Sequence, residues 1–281
     1  MNGGLVRLRE IIGTITPSER KVASFILEHP RQLVGLSVAQ LAEQSGGSQA
    51  AVIRLCKSAG FKGYQELMLK VAGDLRDESP IGGYQEIHPA DSIQQIIEQV
   101  SLNTIQSIRD TVKVLNPLHV EQAIEALNRA QRLFFFGTGA SHLVASDAQH
   151  KFLRINKPGF AFSDTDRQLI ASSMLTPEDT VIGISYSGQT TVTTECMKIA
   201  RDAGATTISI TRYGSNAVSN LAMIPLYISA LEDEIRSGAT SSRITQLNVI
   251  DILYLGVASR SYHRSLDYLE QSRHAVQRMK G

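Results

Sequence analysis

The chain has little cysteine: Cys56 and Cys196 stand far apart, and neither has a second Cys or a His at metal-ligand spacing. That excludes a disulfide framework or a zinc finger and fits two buried thiols in a reducing compartment. Long apolar runs are missing as well; none approaches the ~20 residues that span a bilayer. The N-terminal "MNGGLVRLREIIG" lacks an apolar secretory core and a small-residue cleavage site. A cytoplasmic chain with no membrane partner is expected. Strong charge of one sign is also absent. With 28 Lys and Arg against 27 Asp and Glu, charge alone argues neither for nor against nucleic acid.

What is there divides in two. At 281 residues the chain exceeds the usual size of one domain. Residues 1–76 carry helical patterns only, among them "PSERKVASFILEHP", opened by Pro17 and Ser18 and closed before Pro30. A run rich in Pro, Gly and polar residues follows, and a linker is expected over 77–91. From 92 to 281 the texture alternates. Helical stretches at about 92–114 and 118–129 precede "RLFFFG" (132–137), "GFAFS" (159–163), "TVIGIS" (180–185), "TTISIT" (206–211) and "PLYIS" (225–229), with helical spacers between them and helices at about 240–262 and 265–279 after them. Short apolar strands alternating with helices imply a five-stranded parallel sheet covered on both faces. The fold class expected is therefore an all-α N-terminal domain joined to an α/β C-terminal domain.

The run "SVAQLAEQSGGSQAAVIRLCKSAG" (37–60) has the spacing of a helix-turn-helix. Ala42 is small where the first helix must cross the second, and Gly46 can take the positive φ of the turn. Val52 and Leu55 point inward, and Ser48 can cap the second helix. Gln49, Ala50, Ala51, Arg54 and Lys57 are left facing outward, with Lys62 adding to a basic face. These are residue types suited to base edges and phosphates. A generic helical hairpin with a solvated face would share part of this pattern.

The C-terminal half holds two strand–turn–helix motifs of one kind. In "RLFFFGTGASHLVA" Gly137 and Gly139 allow a ligand close to the backbone, and Ser141 sits near the helix start. His142 stands where a dinucleotide fingerprint needs a third glycine, and there is no Walker lysine. In "VIGISYSGQTTV" Ser185, Ser187, Gly188, Gln189 and Thr190 form a hydroxyl-lined turn before a helix that begins near Thr190 or Thr191. Such a turn can grip a phosphate, though Ser/Thr-rich caps also occur on ordinary βα turns. His142 and His150 are either an acid/base pair or an ordinary polar edge. "TSSRITQ" (240–246), with Arg243, either closes a pocket from a neighbouring subunit or caps its own helix.

"GTGAS" and "ISYSGQT" resemble the SIS domain, the sugar-isomerase fold. "PSERKVASFILEHP", the helix-turn-helix and "GFKGYQEL" resemble the N-terminal domain of RpiR-type bacterial regulators. The resemblance covers nearly the whole chain. It implies a regulator of double-stranded operator DNA controlled by a phosphosugar, with no cofactor, no metal and no catalysis of its own, self-associating as a dimer or tetramer. It implies that Ser185, Ser187 and Thr190 receive the phosphate, that Gly188 shapes the loop, and that Ser141 faces the sugar. Gln189 stands where SIS enzymes often have Glu, which removes an obvious proton carrier. Within the family the chain looks most like regulators of cell-wall amino-sugar use, which suggests N-acetylmuramic acid 6-phosphate or, failing that, glucosamine 6-phosphate. The alternative is a phosphosugar isomerase or etherase carrying an accessory helical domain.

Overall fold

The structure is a computed structural model that describes residues 3–76, 87–232 and 238–278. Of the linker expected over 77–91, residues 77–86 lie outside the described residues. The chain forms two compact units that divide between Val114 and Leu115.

The first unit is helical: α1 (Gly4–Ile11), α2 (Pro17–Glu28), the one-turn α3 (Pro30–Leu33), α4 (Val38–Gln44), α5 (Gln49–Ser58), α6 (Tyr64–Arg76) and α7 (Ile93–Val114). Local chemistry starts several of these. Thr16 and Glu19 form a reciprocal capping box at α2, with Pro17 in the first turn, and Ser37 and Gln40 do the same at α4. The start of α1 is different, because Asp74 on α6 takes the Gly3 and Leu5 N–H groups at 2.6 and 2.9 Å. That cap comes from about 70 residues along the chain, so no local motif announces the helix. The α7 helix was expected with the C-terminal domain, but it groups with the first unit, where Asp110 pairs with Arg9 of α1.

The second unit holds α8 (Pro117–Arg129), β1 (Leu133–Phe136), α9 (Ala140–Leu153), β2 (Gly159–Ala161), α10 (Thr165–Ser172), β3 (Thr180–Ile184), α11 (Thr191–Asp202), β4 (Thr206–Arg212), β5 (Ile224–Ile228), α12 (Thr240–Arg260) and α13 (Tyr262–Gln277). The five strands pair in parallel in the order β2-β1-β3-β4-β5. Successive side chains of a strand face opposite sides. Leu133 and Phe135 therefore pack with α8, α9 and α12, while Phe134 and Phe136 pack with Cys196, Met197 and Ala200 of α11. Both faces are covered, which is why the strands read as continuous apolar runs rather than alternating ones. The chain leaves β1 towards β2 and leaves β3 towards β4, in opposite directions from two adjacent strands. The carboxyl ends of β1 and β3 are therefore a topological switch point, the place where open α/β sheets take ligands in a crevice. Among the described residues no helix is long and apolar enough to cross a membrane.

Candidate functional site

Above β1, Gly137 is buried and its carbonyl accepts the side-chain N–H of Gln168 from α10 at 3.1 Å. Gly139 takes a left-handed φ of +56° and starts α9 with no side-chain cap. Ser141, 9% exposed, receives the Gln246 amide of α12 on its hydroxyl at 3.4 Å.

Above β3 the turn is built by its own hydroxyls. Ser185 is buried and shares a 2.9 Å hydrogen bond with the Thr190 hydroxyl. It also accepts the Gly188 N–H at 3.1 Å. Gly188 has φ +66°, and a Cβ there would lie 2.1 Å from the Asn216 side-chain oxygen. Only glycine lets this turn close against the loop after β4. Ser187 and Gln189 are exposed, with the Gln189 N–H on the Ser187 hydroxyl at 3.2 Å. Thr190 begins α11 without a side-chain cap. Thus α9 and α11 both start without a side-chain cap above β1 and β3, each with the partial positive charge of a helix N-terminus, although the Ser141 and His142 N–H groups of α9 are already taken by the Thr138 and Gly139 carbonyls.

Beside them α12 starts differently. One carboxylate oxygen of Glu232 accepts the Ser241 and Ser242 N–H groups at 3.0 and 2.7 Å, so this N-terminus already carries an anion. The Tyr186 hydroxyl donates to the Ala230 carbonyl at 3.2 Å. The segment after β5 is thereby tied to the β3 turn, while Gln246 ties α12 to the β1 turn. Gln168, Asn216, Glu232 and Gln246 all shape the crevice, and sequence reading singled out none of them. Asn216 had a signal in the turn run "YGSNA", and Gln246 closes the stretch "TSSRITQ".

The histidines do not form a pair. The His142 ring shares a 3.1 Å bond with the Ser146 hydroxyl, whereas His150 is exposed in a groove with α13 residues. Asp147 is taken up by Lys151, which also reaches Asp251 of α12. Burial pushes the Cys56 and Cys196 thiols up to about 11, so neither is a poised nucleophile. Among the described residues no group of three His, Cys, Asp or Glu could hold a metal ion.

In the first unit Ala42 is 5% exposed, and Val52 and Leu55 are fully buried. Gly46 has φ +63°, and Ser48 caps α5 by accepting the Ala51 N–H at 3.2 Å. The small residue, the left-handed glycine, the inward pair and the cap thus stand where the spacing placed them. Gln49, Ala50, Arg54, Lys57 and Lys62 are exposed. Ala51, expected to face outward, is fully buried. The inward stripe of α5 is Ala51, Val52, Leu55 and Cys56, wider than the two positions counted from sequence. Arg54 donates to the Ser18 hydroxyl at 3.3 Å, and Ser58 donates to Glu19 at 2.7 Å. Burial raises the Glu19 pKa, but hydrogen bonds from Thr16 and Ser58 outweigh it and leave the carboxyl below its ordinary value. A carboxylate therefore sits beside Arg54 at the foot of the exposed face.

Comparison with known proteins matches both units. The family described as "Helix-turn-helix domain, rpiR family" matches residues 2–78, and "SIS domain" matches residues 126–256. The HTH-type transcriptional regulator YbbH of Bacillus subtilis strain 168 is 42% identical over 99% of this chain and 98% of its own length. The HTH-type transcriptional regulator TTE0211 of Caldanaerobacter subterraneus is 41% identical over 97% of this chain and 96% of its own. Among solved structures, the Vibrio vulnificus NanR protein complexed with ManNAc-6P is 25% identical, with a TM-score of 0.62 over 97% of this chain and 98% of that one.

Proposed function

Because the chain belongs to the rpiR family of helix-turn-helix transcriptional regulators carrying a SIS domain, we propose that it reads operator DNA with α5 and that a phosphorylated amino sugar in the β1/β3 crevice controls that binding. The observation that carries this reading is the pair of uncapped helix starts, α9 and α11, at the topological switch point. Two such N-termini favour an anion, and the exposed Ser187 hydroxyl adds a neutral donor. Thr190 and the first amides of α11 take the phosphate, with Gln189 at the rim. Ser185 holds the loop from inside through its bond to Thr190. Gly137 and Gly139 let the sugar approach the backbone, and Ser141 faces it. On α5 and after it, Gln49, Arg54, Lys57 and Lys62 supply base-edge and phosphate contacts, and Ser48 sets the helix start.

The pocket holds its ligand without converting it. Moving a proton between sugar carbons needs a free base. Gln189 is an amide, which cannot take that proton at neutral pH. NanR, with ManNAc-6P bound, supports an amino-sugar 6-phosphate as the class. N-acetylmuramic acid 6-phosphate is the first compound to test, then glucosamine 6-phosphate. The test is a thermal-shift panel of hexose and amino-sugar phosphates on the full chain and on Ser187→Ala. The expected result is a saturable rise in Tm with one amino-sugar phosphate, reduced in the variant. A rise unchanged by Ser187→Ala, or turnover of the sugar phosphate at enzymatic rates, would overturn the reading.

A further inference from the structure

At the other edge of the sheet lies a second concave site. Lys157 stands two residues before β2, and Asn128 lies in the last turn of the helix that leads into β1, so both belong to the amino ends of the strands. The sugar crevice is a strand length away, roughly 15 Å at ~3.3 Å per residue. A cavity of about 280 Å³ opens here, lined among others by Asn128, Asn156, Lys157, Ser261, Arg264 and Tyr268, and no carboxylate lines it.

Its electrostatics are one-sided. Lys157 donates to the Asn128 carbonyl at the end of α8. Burial and the neighbouring Arg264 both push its ammonium below the ordinary value, with no carboxylate opposing them. Arg264 stacks its guanidinium 5.8 Å from the Tyr268 ring centre and donates to the Tyr268 hydroxyl at 3.3 Å. That bond, with one from Asn156, holds the phenol below its usual range. The cavity also faces the first turn of the 16-residue α13, whose N-cap Ser261 makes no side-chain capping bond. A half-buried lysine beside an arginine, in a cavity that no carboxylate lines although Asp267 acts on Tyr268 nearby, costs free energy that a bound anion offsets.

We propose that this cavity is an anion site, separate from the sugar crevice, that takes inorganic phosphate or the phosphate of a small monoester between Lys157 and Arg264, with the Ser261 hydroxyl and the α13 N-terminus completing the grip. Two cations and converging neutral donors match a tetrahedral dianion better than a carboxylate. The concave shape admits a small group rather than the backbone of a duplex.

The test uses the full chain with Ser187→Ala, which weakens the sugar crevice. It is titrated with inorganic phosphate and, separately, with glucosamine 6-phosphate at constant ionic strength, with Tm and calorimetry as readouts. A saturable response to either ligand is expected, and adding Arg264→Gln weakens it about tenfold. Lys157→Gln is the second variant, and circular dichroism shows that each is folded. Whichever ligand binds more tightly identifies the source of the phosphate. No response beyond matched chloride would overturn the proposal, and would leave Lys157 as a cap on α8. A response untouched by both substitutions, or an effect of Arg264→Gln seen only in operator affinity, would do the same.

Discussion

Gly188 shows how much one hydrogen atom decides. Its backbone is left-handed, and a methyl group would meet Asn216 at 2.1 Å. Gly188→Ala should therefore cost about 1–3 kcal/mol of stability, read from urea midpoints, and should also reduce the ligand-induced rise in Tm. Asp179 makes a different residue-scale case. It is 1% exposed and accepts two bonds from Arg132, at 2.8 and 2.6 Å, and two from Thr176. Burial raises its pKa, but the Arg132 and Thr176 hydrogen bonds outweigh it and hold the carboxyl below its ordinary value. A carboxyl lowered in the folded state stabilises fully above its unfolded pKa of about 4 and loses that contribution as pH falls through the folded value. Asp179→Asn should thus lower the urea midpoint clearly at pH 7 and much less at pH 3. Equal losses at the two pH values would refute the assignment.

At the scale of elements, α5 separates what spacing can and cannot say. The helix, its Ser48 cap and its inward Val52 and Leu55 were legible because they follow from local periodicity and turn chemistry. The burial of Ala51 was not, because the width of the inward stripe depends on how closely α2 packs against α5. Arg54 is exposed and donates to the Ser18 hydroxyl of α2. Arg54→Ala should weaken operator binding by more than ~1 kcal/mol if the side chain reads a base, measured by fluorescence anisotropy at matched salt. A loss equal for operator and random duplex would make it a phosphate contact instead. The start of α1 was illegible for the same reason as Ala51, since its capping carboxylate comes from α6.

For the whole molecule, α7 is the telling helix. It exposes Ile93 (73%), Ile97 (55%), Val100 (40%), Ile105 (45%) and Val112 (61%). It buries Asn103, Ser107, Asp110 and Thr111. Leaving an apolar stripe in water is unfavourable at about 25 cal/mol per Å², and a two-fold symmetric operator calls for a two-fold symmetric reader. A second copy of the chain over this stripe is the expected arrangement. Sedimentation at micromolar concentration should show a dimer or tetramer, and Ile97→Glu with Val100→Glu should shift it towards monomer. A wild-type monomer would refute this.

The sequence by itself determined the alternation of strand and helix, the parallel sheet covered on both faces, the pair of short helices joined at Gly46, and the two glycine and hydroxyl turns. Each of these follows from period, cap and turn chemistry within a few residues. Tertiary structure alone decided that the two turns become neighbours, because β1 and β3 are adjacent only in the assembled strand order. It also decided that Asn216 closes on Gly188, that Gln246 reaches Ser141 from 105 residues away, and that Lys157 meets Arg264. Such meetings depend on which faces the chain buries together, and no local pattern carries that information.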